Sequence, residues 1–135
     1  NTSAELIASL NFSLFRRLEI LDLSYNQISL NTFEKIPFNL LINLRRLIIR
    51  NLYLNLNFSN NFLNRCLNLV FLDMSSNKIV SNSKQFILVE NRKLNELILS
   101  NINIEDASDI NITYQNITYL NKEYFDKING YARLD

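Results

Sequence analysis

The stretch Leu18–Ile28, LEILDLSYNQI, has leucines at its first, fourth and sixth positions, an asparagine at its ninth and an isoleucine at its eleventh. The same frame begins again at Leu44, Leu69 and Leu94. Copies at a nearly fixed period are the signature of a repeat architecture, in which each unit packs only against its neighbours. We therefore interpret the chain as a tandem array of one structural unit.

Each copy predicts a short β-strand, because successive side chains of a strand point to opposite faces. In the first copy we expect Leu21 and Leu23 to point inward, and Ile20, Asp22 and Ser24 to point outward. Parallel stacking of such strands forms a concave sheet, while the phenylalanines and leucines between copies fill the convex side. The predicted fold is an α/β-type solenoid, a horseshoe with a parallel concave β-sheet and an irregular or short helical convex side.

The whole chain, residues 1–135, is predicted to be one repeat segment of about five coils. The pattern starts and stops in mid-repeat, which favours an uncapped part of a longer solenoid. Its frame is least clear between residues 100 and 120, because Ala107 follows Leu94 too closely for a complete coil, which needs about 20 residues. Either the coil at Leu94 is short, which we favour, or residues 105–113 form an inserted loop.

The asparagine position of the frame has a structural role of its own. Asn26 and Asn77 are expected to bond the backbone groups that become unpaired where the strand turns away. Leu52 and Ile102 hold this position in the other copies and cannot do so. Each group left unpaired there would cost about 1 kcal/mol or more.

The leucine frame, the phenylalanine positions and the repeat length together resemble the typical extracellular class of leucine-rich repeats. This class includes Toll-like receptor ectodomains and cell-adhesion proteins, and Leu72–Ile79 and Ile117–Asp135 look most like the Toll type. The resemblance implies recognition of microbial products or of a protein ligand, a receptor dimer, and signalling through a cytoplasmic domain. Attachment to a membrane would come only through segments outside this sequence.

Five Asn-x-Ser/Thr sequons favour a protein that is secreted or lies on the extracellular side of the cell surface. They begin at Asn1, Asn11, Asn57, Asn111 and Asn116. A glycan would be tolerated at Asn57, away from the predicted strands, whereas Asn111 would project from the concave sheet if residues 110–112 formed a strand. Two alternatives stay open, a cell-adhesion or matrix protein and an intracellular scaffold in which the sequons are accidental.

The outward positions of the middle copies are the predicted binding surface. They are Arg46, Ile48, Arg50, Phe71, Asp73, Glu96 and Ile98. The three apolar members would form an exposed stripe of the kind that often marks an interaction site. On this interpretation, Phe71→Asp weakens partner binding without unfolding the protein.

The two arginines of this surface have two interpretations. Arg46 and Arg50 would anchor a partner, since arginine is enriched at binding hot spots. Alternatively, Arg50 merely pairs across the sheet with Asp22 and Asp73, and exposed pairs of this kind contribute only about 0–1 kcal/mol.

Composition argues against catalysis and against cofactors. Without histidine there is no Ser-His-Asp or Cys-His arrangement, and one glycine gives no phosphate-binding loop. The single cysteine, Cys66, is expected to be a small buried hydrophobic residue and not a metal ligand. A net charge of +1 gives no specific signal for nucleic acid. We therefore expect a binding protein without metal or cofactor.

Overall fold

The computed structural model describes residues 9–56, 65–79, 93–101, 103–104 and 119–120, of which 55–56, 79, 103–104 and 119–120 are described only as backbone. Its main feature is a parallel sheet of five strands. These are β1 (Ile20–Asp22), β2 (Arg46–Ile48), β4 (Phe71–Asp73), β6 (Glu96–Ile98) and β8 (Tyr119–Leu120). A second parallel sheet contains β3 (Asn55–Leu56), β5 (Lys78–Ile79) and β7 (Asn103–Ile104).

The register of the main sheet follows the leucine frame. Each strand pairs with the strand of the next repeat, in the order β1-β2-β4-β6-β8. The register partners at the strand centres are Leu21, Leu47, Leu72, Leu97 and Leu120. The three central ones, Leu47, Leu72 and Leu97, are fully buried. The predicted strands and their inward leucines are thereby confirmed in the middle of the sheet.

The last strand of this sheet corrects the predicted frame. Tyr119 is the register partner of Glu96, and β6 pairs directly with β8. The prediction that the coil at Leu94 is short and that the next coil begins at Ala107 is therefore wrong, because that next coil would insert a strand between these two. Leu120 lies in the strand that pairs with β6. Residues 105–118 lie outside the described residues, so an inserted loop there stays a prediction.

The segment between β1 and β2 contains short helices, which carry its phenylalanines into the core. Helix α1 (Leu30–Glu34) begins where the Ser29 hydroxyl accepts a hydrogen bond from the Thr32 backbone N–H at 3.1 Å. A 3-10 helix at Phe38–Leu40 follows it. Phe33 and Phe38 are fully buried, with ring centroids 5.5 Å apart. Another 3-10 helix, Phe12–Phe15, precedes β1.

Leu52 has no side-chain amide with which to bond the unpaired backbone groups of its repeat, and Asn77 of the next repeat bonds them instead. The Leu52 N–H donates to Asn77 Oδ1 at 3.1 Å, and Asn77 Nδ2 donates to the Ile49 carbonyl at 2.6 Å and the Met74 carbonyl at 2.9 Å. One buried asparagine therefore serves two repeats. Asn26 bonds only carbonyls of its own repeat among the described residues. Ile102 lies outside the described residues.

A left-handed residue stands three positions after each of the first four strands of the main sheet. Tyr25, Asn51, Ser76 and Asn101 have φ between 48° and 61°. Asparagine tolerates this region, whereas the conformation costs other non-glycine residues about 1–2 kcal/mol. A tight turn therefore recurs at the same point of each of these four repeats.

Candidate interaction surface

The outer face of the main sheet, which faces away from the leucine core, brings together the seven residues predicted to bind. In register across β2, β4 and β6, one row is Arg46, Phe71 and Glu96, and the next row is Ile48, Asp73 and Ile98. Arg50 follows β2 and reaches Asp73 on β4. We refer to these seven residues as the outer-face cluster. Its members come from three successive repeats; register makes six of them neighbours, and the hydrogen bond to Asp73 adds Arg50.

Phe71 does not form an exposed stripe. It is only 6% exposed, because the guanidinium of Arg46, its register partner, lies over the ring with its carbon 4.0 Å from the ring centroid. This cation–π contact contributes about 0.5–2 kcal/mol, depending on how far the cation is desolvated. The expected exposure of Phe71 is therefore wrong, and we now expect Phe71→Asp to destabilise the fold, because the substitution would place a carboxylate in a covered site.

Asp73 is also buried, contrary to expectation, and is fully inaccessible to solvent. Its Oδ2 accepts a hydrogen bond from Arg50 Nε at 2.5 Å, and its Oδ1 accepts from the Ser75 N–H at 3.0 Å and from Ser75 Oγ at 2.6 Å. Ile48 and Ile98 flank it in the sheet. The predicted pairing of Arg50 with Asp73 is confirmed, but the pair is not a simple exposed one.

Asp22 does not share this arrangement. It is exposed, and its Oδ1 accepts a hydrogen bond from the Ser24 N–H at 2.9 Å. Arg50 pairs with Asp73 and not with Asp22 in the part of the chain that the structure describes. The predicted pair between Asp22 and Arg50 is therefore wrong, because the guanidinium extends toward β4.

The accessible part of the outer-face cluster contains two guanidinium groups, one carboxylate and two isoleucines. Arg46 is exposed, the Arg50 side chain is 43% exposed, and Ile48, Glu96 and Ile98 are half-buried. Both guanidinium groups are held on one side, by an aromatic ring and by a carboxylate, so they lose less conformational freedom when a partner binds. A partner that presents carboxylates beside apolar groups would match this surface.

Cys66 is a core residue, as expected. It is buried, and burial raises the pKa of its thiol to about 12, while the nearby charge of Arg65 acts in the opposite direction. A thiol of this kind is a poor nucleophile near neutral pH, because only the thiolate reacts. The described residues contain no cluster of three or more His, Cys, Asp or Glu side chains able to hold a metal ion.

One predicted glycosylation site can be placed. Asn11 is exposed at the start of the 3-10 helix Phe12–Phe15, and its Oδ1 accepts hydrogen bonds from the Ser13 N–H and from Ser13 Oγ, at 3.2 and 2.6 Å. This exposure is compatible with a glycan. Asn57, Asn111 and Asn116, like Asn1, lie outside the described residues, so these sites stay predictions.

A second ladder of asparagines, which the sequence reasoning missed, lies where the strands begin. Asn43 Nδ2 donates to the Arg16 carbonyl at 2.6 Å, and Asn68 Nδ2 donates to the Ile42 carbonyl at 2.6 Å. The signal was present in the sequence, since both asparagines directly precede the first leucine of a repeat. This Asn-Leu pair occurs in the second and third of the four copies, whereas Arg17 and Lys93 hold the position in the first and fourth.

The chain matches no known protein-family profile, and no curated protein is significantly similar to it in sequence. Across the described residues, no helix is both long and apolar enough to pass through a membrane. The proposed function therefore rests on the surfaces of the protein.

Proposed function

We propose that this chain is a segment of an extracellular leucine-rich repeat receptor, of the Toll-like type, that binds a protein or microbial ligand through its outer-face cluster. The observation that carries the proposal is the register of Arg46 with Phe71 and the hydrogen bond of Arg50 with Asp73. As a result, two oriented guanidinium groups of one repeat lie against the next repeat, beside aliphatic side chains.

The solenoid itself is supported by the sheet. Its strands recur once in each repeat, run parallel and follow chain order. Asn77 ties two neighbouring repeats together through their backbones. Stacking of this kind makes a core that exists only between neighbours, as expected of a repeat protein. A curved horseshoe with a concave outer face is the arrangement that we propose for the longer array.

Binding, and not catalysis, fits the chemistry of the outer-face cluster. Its only buried carboxylate, that of Asp73, accepts three hydrogen bonds from Arg50 and Ser75. A general acid or base must instead exchange a proton with a substrate. The exposed arginines and half-buried isoleucines have the character of an interface, in which arginine is enriched at the hot spots and the buried centre is apolar.

The extracellular location rests on the sequons and on the exposure of Asn11. Site-by-site mass spectrometry of the protein from its native source tests it. Glycan on Asn11 is the expected result, whereas an unmodified asparagine at every sequon would contradict an extracellular location and favour the intracellular scaffold.

The binding face is tested by photo-crosslinking in the full-length protein on cells. A photoreactive side chain at position 98, in place of Ile98, is compared with one at Asn31, which is exposed on α1. We expect a discrete crosslinked partner only from position 98. Equal crosslinking from both positions, or crosslinking from position 31 alone, would show that the outer face is not the binding surface.

A further inference from the structure

The edge of the main sheet at which its strands begin forms a separate surface, which the outer-face cluster does not use. Because the strands are parallel, the residues just before them lie along one edge. The second asparagine ladder shows that they are neighbours, since Asn43 bonds the Arg16 carbonyl and Asn68 bonds the Ile42 carbonyl. Lys93 Nζ continues the line by donating to Asn68 Oδ1. We refer to this surface as the leading edge.

Large aliphatic side chains on the leading edge are left in solvent. Ile42 and Leu67 are 55% and 61% exposed. Ile42 and Leu67 occupy the same position in successive repeats, just before the asparagine that precedes Leu44 and Leu69. Single exposed hydrophobic residues are ordinary, but Ile42 and Leu67 lie in successive repeats beside one hydrogen-bonded ladder and form an apolar pair.

The same edge is strongly basic. The exposed cations there are Arg16, Arg17, Arg45, Arg65 and Lys93, whereas Glu19 is the single carboxylate among the edge residues that the structure describes. The only salt bridge between described residues is that of Arg50 with Asp73, on the outer face. The described residues of the leading edge therefore have a net positive charge, which attracts an anionic partner.

We propose that the leading edge is a second interaction surface, which binds an acidic amphipathic helix of a partner protein. Neighbouring strands lie about 4.8 Å apart, close to the roughly 5.4 Å pitch of an α-helix. A helix lying across the edge would place one apolar residue of each turn against Ile42 or Leu67, and its glutamates would face the arginines. An apolar centre with a charged rim is also the common anatomy of a protein interface.

A designed peptide tests this proposal. The probe is a fluorescein-labelled helix of about 18 residues, roughly five turns, with leucines on one face and glutamates around them. A second peptide has the same composition in scrambled order. Binding to the full chain is measured by fluorescence anisotropy, and vesicles of phosphatidylserine and phosphatidylcholine and a heparin fragment are measured in parallel.

We expect the amphipathic peptide to bind at least about tenfold more tightly than the scrambled one, since charge alone does not distinguish them. The double variant Ile42→Ser/Leu67→Ser should reduce this binding at least about tenfold. The double variant Arg17→Gln/Arg45→Gln should reduce both the affinity for the peptide and the salt dependence of that affinity. The matched control is Tyr25→Ser/Tyr53→Ser, which removes two exposed side chains beyond the opposite ends of the strands. It should leave binding unchanged.

Several outcomes would overturn the proposal. Equal affinity for the two peptides would mean that the edge attracts acidic molecules without recognising an apolar face. Binding of vesicles or heparin in preference to the amphipathic peptide would assign the edge to a membrane surface or to an anionic polysaccharide. An unchanged affinity in the Ile42→Ser/Leu67→Ser variant would show that its aliphatic side chains take no part.

Discussion

Two nearly identical turns, one after β1 and one after β4, have different environments. The sequences are LDLSYN and LDMSSN, and in both an aspartate accepts a hydrogen bond from the N–H two residues later, at 2.9 Å for Asp22 and 3.0 Å for Asp73. Yet Asp22 is exposed and Asp73 is fully buried. The local conformation is therefore set by the motif, and burial is set by the neighbouring repeats.

The asparagines of the two turns differ in the same way. Asn77 bonds backbone groups of its own repeat and of the repeat before it, whereas the described partners of Asn26 are all in its own repeat. A second stacked neighbour turns a local capping residue into a link between repeats. The following substitutions therefore compare the two turns in matched pairs, measured by urea unfolding of the full chain.

The largest effect is expected at the strand centres. Leu72→Asp should unfold the protein, because it places an unpaired charge where the side chain is fully buried. Leu21→Asp should destabilise it less, because Leu21 is only half-buried. Circular dichroism would show loss of structure in the first variant. A folded Leu72→Asp protein would contradict the assignment of this strand to the core.

A smaller but still substantial loss is expected at the asparagines. Asn77→Ala should lower the free energy of unfolding by about 2–4 kcal/mol, since it leaves the Leu52 N–H and the Ile49 carbonyl without a partner. Asn26→Ala should cost about 1 kcal/mol, the usual contribution of local hydrogen bonds. Equal losses in the two variants would mean that the link between repeats contributes nothing.

The aspartates come next. Asp73→Ala should cost about 2–3 kcal/mol, because it removes the acceptor of hydrogen bonds from Arg50 and Ser75. The cost is reduced because the guanidinium keeps part of its contact with water. Asp22→Ala should cost less than about 1 kcal/mol. If Asp22→Ala proved as costly as Asp73→Ala, the burial difference between the turns would have no energetic meaning.

The smallest effect is a gain in stability at the left-handed residues. Tyr25→Gly should stabilise the protein by about 0.5–1 kcal/mol, since glycine adopts a positive φ without steric cost. Ser76→Gly should gain less, because it removes the hydroxyl that accepts a hydrogen bond from Asn101 Nδ2. A loss of stability in Tyr25→Gly would show that the exposed tyrosine ring makes contacts that outweigh the backbone strain.

The sequence was sufficient for β1, β2, β4 and β6 and for their register, because a nearly constant repeat length and alternating leucines specify which side chains face the core. It was also sufficient to bring the outer-face cluster together. It did not show that Arg46 covers Phe71, since this depends on the direction in which a long side chain folds across a strand. The last repeat was placed wrongly because the apolar residues from Ala107 onward also fit the leucine frame. The backbone pairing instead places Leu120 beside Leu97.

Cysteine crosslinking of register partners tests the central claim, that consecutive repeats stack as parallel strands. Ile20 and Arg46 are exposed partners on β1 and β2, at a separation of about 5 Å that suits a disulfide. Glu96 lies three strands from Ile20, roughly 14 Å away. The buried Cys66, with its pKa of about 12, should not compete.

Under mild oxidation, Ile20→Cys/Arg46→Cys should crosslink at least about tenfold faster than Ile20→Cys/Glu96→Cys. Equal rates for the two pairs would contradict the stacked register on which both proposed surfaces rest.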